Sequence, residues 1–516
     1  SGRLVASSLG AFDGFGGSIT TDGVRMFTGA SRHDALGENA GAVYGFVDAV
    51  DDVPDVGWFQ DAKFSPSDLE EGDRFGESVS AWEDMLVIGA PYSPRIVTEI
   101  NDEGEEEVVE TIPLAGRAEI WVNQGGGYCR VQVLQPDTLL GNDFFGSAVA
   151  VAGDLVAVGA PLQETATGEI DSGMVYVYQR TSTTTFELLE IFEGVEAGDR
   201  FGSTLALSVL PDSLAQGLLV GAPFSGGELG SVAPYAFFRS EDVFVVSAGP
   251  VVNGIYSGGR FGAALAIYED KAVIGAPLAR GTLGAAGAYR FVADELVQVE
   301  VLATPGLELG DNFGASVACS GTRIAVGIPG RDRMSPVDPD EVLLENVGAV
   351  AVFGLIDDDD WSAIEFIGSP QDLRAGCEFG GSVAIVGSQL FAGAPDADDA
   401  GILSGVVYAL FIRPFTDCNE NGIDDSVDIF LGNSTDLDGD GVPDDCLSAN
   451  CDADFNGDEL IDGADLGILF VSWGPCQSGS PDEPCLGDLN GDAVVDGADF
   501  GIFFLSWGAS CPPDTP

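Results

Sequence analysis

The last hundred residues hold segments whose residue types and spacing suit the binding of a metal cation. Asp454, Asn456, Asp458, Asp462 and Asp465 recur 34 residues later as Asp488, Asn490, Asp492, Asp496 and Asp499. These are positions 1, 3, 5, 9 and 12 of a twelve-residue loop, and the backbone carbonyls of Leu460 and Val494 fall at position 7. Oxygen ligands at this spacing can wrap one hard cation, and the expected one is Ca2+. Two further segments precede the pair. Asp417, Asn419, Asn421, the carbonyl of Ile423 and Asp428 follow the same template, with Gly422 at the tight turn. Asp436, Asp438, Asp440, the carbonyl of Val442 and Asp444 form a DxDxDG run. From Asp417 to the end the chain has 23 Asp and Glu and not one Lys or Arg, a charge that opposes compaction unless cations offset it.

Other chemistry is hard to place. The only histidine, His33, stands alone in a loop, and no zinc cluster, phosphate loop, nucleophile elbow or HExxH helix is present. Acid pairs occur everywhere and so mark nothing. The expectation is a chain that is not an enzyme.

Charge and cysteine placement restrict the partners and the compartment. With a net charge of −64, the chain would be repelled by nucleic acid and by an anionic bilayer. No apolar run reaches the roughly 20 residues of a membrane-spanning helix. Cys418, Cys446, Cys451, Cys476, Cys485 and Cys511 crowd into the tail, which reads as a disulfide framework in an oxidising space. Six cysteines allow 15 pairings, and the repeat symmetry favours 418 with 446, 451 with 476 and 485 with 511. A chain that begins at Ser1 fits an exported protein whose signal peptide has been removed. The expected location is extracellular or at the cell surface.

The elements that must carry these loops are set by a long repeat. A Phe-Gly pair recurs at Phe15, Phe75, Phe145, Phe201, Phe261, Phe313 and Phe379, each followed by a Gly-Ala-Pro-like turn, at Gly29, Gly89, Gly159, Gly221, Gly275, Gly327 and Gly393. Between the two markers lie two short strands and a tight turn, as in Ser147 to Pro161, and a third and a fourth strand follow. Four strands per repeat make a propeller blade. The reading is therefore mainly β, with a seven-bladed propeller over residues 1–412. Asp-rich calcium loops over 413–448 and a small Cys-rich module of paired EF-hand-like loops and short helices over 449–516 follow. The last repeat lacks a fourth strand, and the N-terminal strand 3–8 is expected to supply it and remove an open edge. Arg74, Arg200 and Arg260, each just before a Phe-Gly, are expected to form ion pairs between blades.

The motif FGxSVA, a turn, VxGAP and GxVYVY resembles the FG-GAP repeat of integrin α-subunit propellers and many bacterial surface proteins. That resemblance implies a propeller, but the turns here are short hairpins without an Asp-rich loop, so no blade calcium is expected. The DxDxDG run is similar to a thrombospondin type 3 repeat. The duplicated loop-helix unit resembles a dockerin, which implies a protein partner, a cohesin domain or a neighbouring subunit. The helices expected at Leu466 to Trp473 and Phe500 to Trp507 are apolar nearly all round, so a face including some of Phe470, Phe503 and Phe504 should press on a partner or on the propeller rim. The functional expectation is a non-catalytic adhesion or assembly protein, with an unknown protein or glycan on the propeller face. The alternatives are a self-assembling filament or surface-layer subunit, and a hydrolase with an acidic site in the propeller mouth.

Overall fold

A computed structural model describes residues 2–34, 36–48, 57–100, 106–211, 215–240, 243–304, 306–334, 342–357 and 360–412, and in the tail 453, 455–456, 461, 463–475, 487, 489, 494–495, 497, 499–500 and 503. The chain divides into two compact units, Ser1–Phe415 and Thr416–Pro516.

In the first unit the described residues form seven antiparallel sheets, each built around four consecutive positions of the repeat. Blade three shows the pattern: Ala148–Ala152, Leu155–Ala160, Met174–Ser182 and Thr185–Glu193 pair in sequence order. The first hairpin closes through Gly153 at φ 55°, a left-handed position that glycine adopts at no steric cost. Inner strands are nearly continuous apolar runs because both their faces are covered by neighbouring blades. Leu155–Ala160 is buried at every position, whereas the outermost strand Thr185–Glu193 alternates towards solvent. Blade two carries an inserted hairpin, Arg95–Ile100 with Glu106–Ile112, and blade six a shorter one, Arg333–Met334 with Val342–Leu344.

The repeated motif is used up in joining blades. A Cβ on the glycine of each Gly-Ala-Pro turn would lie 2.0 to 2.4 Å from the carbonyl oxygen of the Phe-Gly glycine in the next blade: Gly29 against Gly76, Gly89 against Gly146, Gly159 against Gly202, Gly221 against Gly262, Gly275 against Gly314, Gly327 against Gly380 and Gly393 against Gly16. Only glycine permits that approach. The hydroxyl of the fourth motif residue then donates to the same carbonyl from the preceding blade: Ser18 to Gly76, Ser78 to Gly146, Thr204 to Gly262, Ser316 to Gly380 and Ser382 to Gly16, at 2.6 to 2.8 Å. The phenylalanines fill the same seams, with Phe15, Phe75, Phe145 and Phe379 fully buried. Within each blade the Phe-Gly amide also donates to the turn glycine, as Gly146 N to Gly159 O at 2.9 Å.

Blade seven is completed by the N-terminus. Gly2–Leu4 pairs antiparallel with Val406–Phe411 in the register Gly2 to Ala409 and Leu4 to Val407. The ladder is shorter and earlier than the expected 3–8, because the chain leaves the sheet to cross to blade one. There Ser7 N donates to Gln60 Oε1 at 3.0 Å and Ser8 Oγ meets the Tyr44 hydroxyl at 3.0 Å. Arg3 pairs with Asp399 on the blade-seven side, and Leu4 and Ala6 are buried in the core shared with Phe15 and Phe391.

In the second unit a helix, Gly463–Val471, and a two-residue ladder, Gly474–Pro475 with Val494–Val495, are described. The helix begins earlier than its apolar run, since Asp465 favours the first turn and Gly463 and Ala464 are admitted ahead of it. It ends by Ser472, whose hydroxyl and amide both bond back to the Ile468 carbonyl at 3.1 Å. The core joins Ala453, Ile461, Leu469, Val495 and Phe503, flanked by Phe455, Leu466, Leu489 and Phe500. Apart from Ala453, these are pairs 34 residues apart, so the sequence duplication is also a duplication of packing.

Gly159→Ala should destabilise the propeller by about 3 kcal/mol or more, the cost of overpacking against backbone that cannot yield. Gly368→Ala, whose Cβ meets nothing within 4 Å, should be close to neutral. Chemical denaturation of both variants checks the contrast, and equal stabilities would remove the role assigned to the inter-blade glycines. Deleting residues 1–9 uncovers the Val406–Phe411 edge and should cost several degrees of melting temperature with added aggregation. A deletion that melts like the parent would show that the ring does not depend on this strand.

Candidate functional site

In the tail, four of the expected ligand positions are described: Asn456, Asp465, Val494 and Asp499. Asp417, Asn419, Asn421, Ile423, Asp428, Asp436, Asp438, Asp440, Val442, Asp444, Asp454, Asp458, Leu460, Asp462, Asp488, Asn490, Asp492 and Asp496 lie outside the described residues, as do the six tail cysteines. Asp465 and Asp499, at position 12 of the two loops, are both fully buried. Each turns back into its own loop: Asp465 Oδ1 accepts the Asn456 amide at 3.1 Å and Asp499 Oδ1 the Leu489 amide at 2.8 Å. Among the described residues no three His, Cys, Asp or Glu side chains converge on one point. The donor chemistry fits a hard cation: these are carboxylate, amide and backbone oxygens, with no sulfur or imidazole among the template positions. Asp465 would hold an ion in the first loop, and Asp499 with the carbonyl of Val494 a separate ion in the second.

The apolar face expected on the helices is divided. Phe503 is fully buried and stacks on Phe455, with ring centroids 6.1 Å apart at 12°, so it is core and not a docking residue. Phe470, Val471 and Trp473 are exposed at 54%, 88% and 52%. Phe504 lies outside the described residues.

In the propeller, the junction loops contain carboxylates, all but Asp199 buried, that reading the sequence for motifs overlooks. Two residues before the Phe-Gly stand Asp13, Asp73, Asp143, Asp199 and Asp311, each accepting the backbone amide three residues earlier, as Leu140 N to Asp143 at 2.7 Å. Burial raises Asp13, Asp73 and Asp199 above the usual carboxylate range and pushes Asp143 up to about 6, with the charge of Glu164 adding to it. Four residues after the turn glycine of these blades come His33, Ser93, Gln163, Ser225 and Arg331. Arg331 pairs with Asp311 at 2.8 Å and His33 lies 3.9 Å from Asp13. In the two blades without this aspartate, where Gly259 and Cys377 stand instead, the facing residue is alanine, Ala279 or Ala397. That covariation within the chain was the available signal.

His33 is 4% exposed, with Nε2 3.1 Å from the Ser8 carbonyl, so it fastens the N-terminal segment to blade one. Among the described residues, the expected arginine ion pairs form only once, between Arg260 and Glu228 of the preceding blade at 3.6 Å. Arg74 stacks instead on Tyr92 at 4.4 Å, and Arg200 and Arg260 share the ring of Phe224 at 4.3 and 4.6 Å. An aromatic follows the Gly-Ala-Pro turn in blades two and four only, so Arg260 of blade five reaches back to Phe224 of blade four, and each guanidinium is held by a ring face. The central channel, about 460 Å³, is walled by first-strand residues such as Ile19, Ala81, Val151, Leu207, Ile267 and Val383. At its mouth Asp22 already accepts the amides of Val24 and Arg25 and the Tyr128 hydroxyl.

With this geometry in view, residues 58–104 and 130–178 match the family described as FG-GAP repeat. Blades two and three match FG-GAP repeats. The two matched stretches include the Phe-Gly and Gly-Ala-Pro segments of blades two and three. No curated protein matches the sequence. One similar solved structure, Kuenenia stuttgartiensis Hydrazine Synthase, is 9% identical with a TM-score of 0.43, over 79% of this chain and 98% of that one. At that level the likeness carries no functional information. No helix among the described residues is long and apolar enough to cross a membrane.

Asp143, 3% exposed, supplies a pH test. A carboxyl raised to about 6 favours its neutral form in the folded state. Its contribution is therefore complete below the unfolded value near 4 and is lost as pH rises through 6, by up to about 3 kcal/mol. Asp143→Asn keeps an acceptor for the Leu140 amide but cannot ionise. It should be at least as stable as the parent at pH 7 and show a flatter stability profile between pH 4 and 6, measured by denaturation across that range. An unchanged profile would place the titrating group elsewhere.

Proposed function

We propose that this chain is an exported, non-catalytic interaction protein of the cell surface, with the propeller as binding platform and a calcium-stabilised, dockerin-like tail as attachment module. The observation that carries the reading is that the repeated motif residues are spent on blade-to-blade contacts while the loops between them differ from blade to blade. A scaffold of that kind presents variable loops on a rigid ring, and binding surfaces are commonly built that way. The supports for the tail reading are the repeated template of oxygen ligands, the burial of Asp465 and Asp499, and the shared core with paired positions.

A second reading, a self-assembling surface subunit, is favoured by one observation: Phe470, Val471 and Trp473 stand exposed on one helix end, and exposed apolar groups of this size mark association sites. The donated-strand form of assembly is not needed, since the N-terminal strand pairs within its own chain.

Chelation tests the tail. In excess EDTA the region after Arg413 should become protease-sensitive while the propeller stays resistant, because ligand carboxylates repel one another without the ion. Equal resistance in chelator and in calcium would overturn the metal reading. Capture of envelope components by the full chain, with calcium and with EDTA, tests the platform and the attachment module together, and light scattering over a concentration series tests assembly.

A further inference from the structure

Six residues before each Phe-Gly the chain places an aliphatic side chain: Leu9, Leu69, Leu139, Val195, Ile255, Leu307 and Leu373. Leu69, Leu139 and Leu373 are at most 6% exposed and plug the clusters around Phe75, Phe145 and Phe379. Leu9 and Leu307 are half-buried against the clusters of Phe15 and Phe313. Val195 and Ile255 behave otherwise. They are 82% and 81% exposed and belong to no core cluster.

A second position changes in the same two blades. Three residues into the third strand, counted from its leading glycine, stand Tyr44, Glu119, Tyr176, Ala233, Gly287, Ala351 and Tyr408. The three tyrosines are buried, and each hydroxyl bonds the residue just before the leucine plug: Tyr44 to Ser8 at 3.0 Å, Tyr176 to Thr138 at 3.0 Å and Tyr408 to Asp372 at 2.9 Å. Blade two substitutes a buried Glu119 paired with Arg117 and Arg130, and blade six combines Ala351 with the leucine Leu307. Blades four and five have lost both fillers. The result is a cavity of about 280 Å³ in blade four, bordered by Val195, Phe201, Ala233 and Tyr235. A second, of about 100 Å³ in blade five, is bordered by Ile255, Phe261, Gly287 and Tyr289. Asn253 lines both, so the two sockets are neighbours.

We propose that these sockets bind an extended segment of a partner protein, which inserts an aromatic side chain of tyrosine type into blade four and a smaller aliphatic one into blade five. The inference rests on the reading of the propeller as an interaction platform. The occupant is identified by what fills the same place elsewhere in this molecule, a leucine from the preceding loop together with a phenol. Glu193, Glu196 and Asp199 border the blade-four socket and select a segment with a basic residue beside its aromatic one. Two apolar anchors flanked by charge are the usual core of a peptide-binding site.

The test uses the full chain with methyl-labelled Val, Leu and Ile, observed by NMR. The probes are N-acetyl-tyrosinamide, N-acetyl-leucinamide and, as the rival ligand, cellotetraose. The tyrosine amide should shift the methyls of Val195 and Val251 saturably, and the leucine amide those of Ile255 and Val252. The double variant Val195→Leu with Ala233→Tyr restores both fillers. It should weaken the tyrosine amide at least tenfold, leave the leucine amide unchanged and raise the melting temperature. Val195→Leu alone, at an exposed position that folding tolerates, should weaken the tyrosine amide severalfold. Unchanged binding in both variants, saturable binding of cellotetraose at these methyls in place of the amides, or contacts in the free protein showing Val195 folded in against Ala233, would each overturn the proposal. If the parent and the plugged variant capture the same envelope components, the sockets fall and the platform reading stands. If no probe binds and nothing is captured, both fall.

Discussion

The propeller depends on one contact made seven times: the backbone of each Gly-Ala-Pro turn lies against the Phe-Gly carbonyl of the next blade, closer than any side chain would allow. That approach brings the seams together, lets the Ser and Thr hydroxyls of five blades reach the same carbonyls and buries the phenylalanines behind them, Phe261 only in part. The seventh contact, Gly393 against Gly16, joins residues at opposite ends of the propeller sequence and turns the row of blades into a ring. Closure then needs only a short strand, Gly2–Leu4, to cover the remaining edge.

Because the motif is spent on architecture, little of what recurs in this sequence can be read as function. The acidity is handled in the same way. Buried aspartates behind the Phe-Gly pairs cap their own loops, and their facing residues are matched blade by blade, from Arg331 against Asp311 to alanine where no carboxylate exists. Arginine, scarce in a chain with 84 acidic residues, is partly diverted to aromatic faces. Stacking on a ring spares a guanidinium from competing for a single carboxylate and fixes a rim residue at little entropic cost.

The proposed binding function therefore lies where the repeats differ. Blades four and five depart from the others at both of two positions that touch one space, and there the ring has a pair of neighbouring sockets. In the tail the duplication is kept in the core, since Ile461 and Val495, Leu469 and Phe503 hold equivalent places, while Phe470, Val471 and Trp473 remain exposed.

The sequence alone determined the blade count, the four-strand blade and the glycine positions, because each is fixed by local spacing and turn chemistry that repeats along the chain. It also carried the aspartate two residues before five of the Phe-Gly pairs and the aliphatic six residues before all seven, but with no meaning attached, since spacing does not say what a side chain touches. Only the tertiary structure decided that Arg74 and Arg200 meet rings in place of carboxylates, that Phe503 is core while Phe470 is exposed, and that Val195 and Ile255 leave their sockets open. These outcomes depend on packing, often between residues tens of positions apart. Packing is set by which neighbour fills a shared volume, a quantity that no periodicity in a single strand of text contains.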